Sequence, residues 1–120
     1  MKKLMIMLAV AAAVVGCSMF RAVGVGAPIT NQRIEVREGQ SFGSIVSNAA
    51  TRRGWQVTEV GENTWECAIY QRSNVCVVKV VYAPETKTFS ILPVESNITV
   101  AKYNQWVNKL RNTIIATAAK

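Results

Sequence analysis

The chain of 120 residues contains no histidine and no aspartate. Those two absences remove the commonest general base, the usual members of a nucleophilic triad and the commonest metal ligand. Carboxylate catalysis would have to use glutamates, and Glu35, Glu38, Glu59, Glu62, Glu66, Glu85 and Glu95 fall in turns or on polar strand faces, where they read as solvated surface. Cysteine is scarce as well. Cys67 and Cys76 lack the short spacing of a redox pair, and no histidine is available to lower a thiol pKa. The one glycine-rich stretch, Gly24-Val25-Gly26, is followed by neither a helix nor a suitably placed lysine, so no phosphate loop is present. The sequence therefore predicts a protein that is not an enzyme and uses no cofactor and no metal.

What is present begins with Lys2 and Lys3, followed by an apolar run from Leu4 to Val15 that is too short to span a bilayer comfortably. The run ends in Val14-Val15-Gly16-Cys17, where an ordinary secretory signal would carry only small residues. This tetrapeptide resembles the lipobox of bacterial lipoproteins. The resemblance implies that residues 1–16 are a signal peptide that is cut away, and that Cys17 carries a diacylglyceryl thioether and an acylated amine. Membrane lipid is thereby one expected partner. By the same resemblance, Ser18 directly after the lipid site implies transfer to the outer membrane, facing the periplasm.

Loss of Lys2 and Lys3 reduces fourteen basic residues to twelve, which against seven acidic ones gives +5 for the mature chain. The cations are spread without a run longer than two, so the concentrated basic stripe of a nucleic-acid binder is missing and no nucleic acid is expected. Residues 17–32 lack a periodic apolar face and read as a flexible tether, with a reach of roughly 20 Å. Residues 33–120 are enough for a single domain and no more.

Within that domain Arg33-Ile34-Glu35-Val36 alternates and predicts a short first strand. Phe42, Ile45, Val46, Ala49 and Ala50 then share one helical face, with Ser41 as N-cap and Gly54 as the stop after Arg52-Arg53. The two arginines lie near the negative end of that helix dipole, a structural rather than a ligand-binding place. Trp55 to Val60 alternates again. Thr64 to Tyr70 and Val75 to Tyr82 predict a hairpin, and Thr88 to Val94 follows a second turn. Trp65, Cys67, Ile69, Cys76, Val78 and Val80 are assigned to its core face. Last comes an amphipathic helix from about Val100 to Ala118, with Thr99 as N-cap and Tyr103, Trp106, Val107, Leu110 and Ile114 facing inward. The predicted fold class is α+β: a β-meander of three or four antiparallel strands, packed by a short helix before it and a longer one after it.

The short helix ending Gly54-Trp55, the meander, Ser96-Asn97-Ile98 and the Tyr103-Asn104-Gln105-Trp106-Val107 segment followed by Leu110 together resemble a group of small bacterial lipoproteins. That group has no assigned catalytic residues, so the resemblance implies fold and location alone. The pair Cys67 and Cys76 is not part of it. If Tyr70 pairs near Ser73, the two cysteines lie directly opposite and a disulfide is expected in an oxidising compartment. If Tyr70 pairs with Val75, Cys76 opposes Ile69 and Cys67 is only a diagonal neighbour. The expected function is to bind or scaffold another envelope component, a protein whose identity the sequence withholds. The alternative is a periplasmic small-ligand binder, and a flat apolar patch or a closed pocket would separate the two.

Overall fold

The computed structural model describes residues 22–120; the predicted signal peptide and Cys17 lie outside the described residues. The elements are β1 (Ile29–Arg33), α1 (Phe42–Arg52), β2 (Gln56–Gly61), β3 (Thr64–Gln71), β4 (Asn74–Ala83), β5 (Thr88–Ser96) and α2 (Val100–Ala118). The fold is α+β. Its five antiparallel strands lie in the order β1-β5-β4-β3-β2, one more than the upper end of the predicted count.

Helix α1 starts where Ser41 Oγ accepts the Ser44 N–H at 3.1 Å. It buries Phe42, Ile45, Val46, Ala49 and Ala50, the five residues whose spacing marked its apolar face. At its other end Gly54 N–H donates to Thr51 O at 3.0 Å and Trp55 N–H to Ala50 O at 2.9 Å, the two bonds of a Schellman stop. Gly54 holds φ at +89°, and a Cβ built there meets nothing within 4 Å. Replacing it by alanine therefore strains only the backbone. Gly54→Ala should cost about 1 kcal/mol in a urea titration, and a cost near zero would show that the turn is not held left-handed.

The core lies between the two helices and one face of the sheet. Cys67, Cys76, Val78, Val80, Phe89 and Ile91 are fully covered there by α1 and α2. Phe42 anchors the far end: its ring stacks on Tyr82 at 4.4 Å and meets Trp65 and Phe89 at 5.4 and 5.6 Å. On α2 the buried line is Tyr103, Val107, Leu110, Thr113, Ile114 and Ala118. Trp106, expected in the core, is only half-buried. It lies one flank away from the central line, at the rim of a cleft it shares with Trp55 and Arg53.

The first strand is also displaced from its predicted place. Residues 34–36 are outside any strand, and the strand forms at Ile29–Arg33, sharing only Arg33 with the predicted one and otherwise inside the stretch read as tether. It pairs Ile29 with Ile91, Gln32 with Phe89 and Arg33 with Thr88, with an irregularity at Asn31, whose φ is 53°. Pairing with an available sheet edge, not alternation, selects this segment.

The chain before β1 is fixed too. Ala22 O accepts Val100 N–H at 2.8 Å, Val23 bridges to Thr99, and Gly24 N–H donates to Ile98 O at 2.9 Å. A Cβ on Gly26 would collide with the side chains of Asn104 and Tyr103, so glycine permits this close passage over α2.

Candidate functional site

Cys17, the predicted lipidation site, lies outside the described residues. The predicted cysteine pair is described, and it is not bridged: both thiols are free and buried. The β3–β4 ladder pairs Tyr70 with Val75, Ile69 with Cys76 and Cys67 with Val78. Relative to the register that would oppose the two cysteines, the strands are shifted by two residues. A two-residue shift keeps every side chain on its own face, so both cysteines remain in the core but lie diagonally. Such diagonal neighbours are about 7–8 Å apart, beyond the usual reach of a disulfide.

Burial pushes the Cys67 thiol up to about 12, the nearby charge of Glu66 adding to it, and the Cys76 thiol up to about 11. Tyr103 is pushed up to about 12 by burial and by Cys76, and its hydroxyl is buried without a hydrogen-bond partner. These groups keep their protons at neutral pH. They form an apolar layer under α2 and not a nucleophile with its base.

Among the described residues no three histidine, cysteine, aspartate or glutamate side chains gather as a metal site, and no helix is long and apolar enough to cross a membrane. Three of the surface clefts, of about 540, 510 and 590 Å³, are open troughs. Arg53, the last of the paired arginines, is engaged structurally: its Nε donates to Thr113 Oγ1 at 2.9 Å, and that hydroxyl donates in turn to Lys109 O at 2.8 Å.

Two surfaces remain. The first is the face of the sheet that carries no helix. Strand alternation places Ala68 and Tyr70 of β3, Val75, Val77 and Val81 of β4, and Leu92 of β5 on it, around the opposed pair Glu66 and Lys79. Ala68 and Val77 are buried among their neighbours, and Tyr70 is 61% exposed.

The second is the end of the domain at the β3–β4 turn. Asn97, which follows β5, closes that turn: its Nδ2 donates to Ser73 O and its Oδ1 accepts the Val75 N–H, both at 2.7 Å. Three connections therefore meet here, namely the hairpin turn, the start of α2 capped by Thr99, and the incoming chain at Ala22–Gly24. The glutamates are sorted along the same axis. By strand register and connection, Glu35, Glu38, Glu59, Glu62, Glu66 and Glu85 lie toward the opposite end, which leaves Glu95 on the hairpin half. That half carries Arg72 in the turn, Lys102 in the first turn of α2, and Arg53 and Lys109 beside Trp106 in a cleft of about 230 Å³. Neither Asn97 nor the pinning of Ala22–Gly24 was read from the sequence; the glycines of 24–26 were the only local sign.

No protein-family model matches the chain, and no curated protein and no solved structure matches it significantly.

Proposed function

We propose that the chain is a lipid-anchored protein of the bacterial cell envelope, held by acylated Cys17 at the outer membrane, whose periplasmic domain docks an envelope protein and performs no reaction. The anchor is supported by the sequence Val14-Val15-Gly16-Cys17 after its charged and apolar leader. The docking role rests on one observation, the sheet face left uncovered by both helices, with Val75, Val81 and Leu92 half-buried and Tyr70 exposed across its middle strands. A small-ligand binder would want enclosure, and the large clefts are open. An apolar patch on a sheet, grouped around one opposed pair of charges, fits a protein surface.

Cys17→Ser should abolish labelling by a fatty-acid analogue and leave precursor of unprocessed length. Labelling that persists would sink the anchor. For the docking face, a photoreactive amino acid at Val81 or Leu92 should give a discrete adduct in intact envelopes, whereas the same group at exposed Ser47 on α1 should not. Equal adducts from both faces would refute it.

A further inference from the structure

We infer that the β3–β4 turn end of the domain is a membrane-facing surface that seats on anionic phospholipid headgroups. This rests on the lipid anchor at Cys17 proposed above, and goes beyond it by assigning a surface and a lipid chemistry.

The reach of the chain is the first argument. The tether reading gave the domain all of residues 17–32 as free chain. Backbone hydrogen bonds to Thr99, Val100 and Ile98 instead fix the chain from Ala22 onward. From Cys17 to Ala22 there are five Cα steps, which span at most about 18 Å when fully extended. With its lipid in the bilayer, the point where the chain joins the domain is thus held within that distance of the headgroups. The join is at the start of α2, on the hairpin end. The domain cannot turn its opposite end to the membrane without leaving its own anchor point.

Charge is the second argument. The held end carries a net positive charge, with Arg72, Lys102, Arg53 and Lys109 against Glu95, whereas at the far end Arg33, Arg37, Lys87 and Lys120 are offset by the other six glutamates. A dipolar domain so tied aligns its positive end with a negative surface.

The third argument is composition. Six large hydrophobic side chains are exposed among the described residues, and four of them, Val23, Val25, Tyr70 and Val94, belong to this half. On the helix side of the same half Trp106 stands half-buried, with Lys102 Nζ over its ring at 5.9 Å from the centroid, an apolar body under a cation. Aromatic and basic side chains grouped in this way suit the headgroup layer.

The test uses the full lipidated protein in vesicles of phosphatidylcholine, with or without phosphatidylglycerol, and brominated acyl chains as tryptophan quenchers. Trp55 and Trp65 are buried, 3% and 9% exposed, so quenching reads Trp106. Quenching is expected in the anionic vesicles, and should fall to background in Trp106→Phe. Each of Arg72→Gln and Lys102→Gln should lower the ratio of docked to undocked domain by roughly fivefold, and added salt should act in the same direction. Protein that floats with the vesicles but shows no quenching overturns the surface while leaving the anchor intact. Quenching indifferent to both cations and to salt overturns the anionic-lipid assignment. Protein whose mass shows no lipid on Cys17 and which fails to float overturns the anchor, and the reach argument falls with it.

Discussion

Leu110→Ala should lower the stability of the domain by roughly 2–5 kcal/mol, and at about 4–8 °C per kcal/mol for a domain of this size the midpoint of thermal unfolding should drop by roughly 8–40 °C. Leu110 is fully buried, on the central line of α2, where the helix lies on the core between the sheet and α1. Truncation there removes apolar area and leaves a cavity that two packed layers cannot collapse into. Trp106→Ala removes a larger side chain but one that is only partly buried at the cleft rim, so the loss should be smaller, about 1–2 kcal/mol. Asn108→Ala, on the outer face, should be close to silent. Urea titrations of the three variants give the order Leu110, Trp106, Asn108. If Trp106→Ala costs as much as Leu110→Ala, the helix is rotated toward α1 relative to the arrangement described.

That ordering differs from what periodicity alone gives, and the difference shows which information was local. Positions 103, 107, 110 and 114 define the apolar line of α2 by spacing, and all four are buried. Position 106 satisfies the same spacing, but it faces the region just past the C-terminal end of α1, where Arg53 and Trp55 leave a cleft. The same flank buries Thr113, which no hydrophobic pattern would select. Its hydroxyl is satisfied by Arg53 and by the Lys109 carbonyl, so burial carries no unpaired polar group. The caps were legible because cap chemistry is local. Ser41, Thr99 and Gly54 act within four residues of themselves.

The sheet was legible in its faces and not in its register. Alternation alone put both cysteines in the core, and a shift by two residues leaves that unchanged. Choosing between the two registers needed the turn. Gln71-Arg72-Ser73-Asn74 offers no glycine to fix a turn type, and Arg72 takes a φ of 59° despite its side chain. The deciding contacts come from Asn97, 24 residues away from Ser73, which holds Ser73 O and Val75 N together. Likewise, Ile29–Arg33 carries no strand signal of its own and becomes a strand because β5 offers an open edge. The segment at Ala22–Gly24 is held through backbone groups, which leave no trace in residue type.

Stability should fall steeply above about pH 9. In the unfolded chain Cys67 and Cys76 ionise from 9.0 and Tyr103 from 10.0, whereas burial in the folded domain raises them to about 12, 11 and 12. Below pH 9 both states hold all three protons and these groups contribute no pH dependence. Between pH 9 and about 11–12 the folded state holds protons that the unfolded state has lost, so raising the pH favours unfolding. A tenfold difference in proton affinity is worth about 1.4 kcal/mol, so by pH 10 the two thiols alone remove roughly 3 kcal/mol, a large share of a small domain's stability. Urea midpoints measured by circular dichroism under reductant, from pH 7 to pH 10.5, should therefore decline with a slope that Cys67→Ala and Cys76→Ala each reduce, although both begin from a lower stability. Tyr103→Phe separates charge from packing. It deletes a buried hydroxyl that has no partner, so at pH 7 it should leave stability unchanged or raise it by about 1 kcal/mol, while lessening the alkaline decline. Midpoints that stay level up to pH 10 would mean that the thiols reach water in the folded domain.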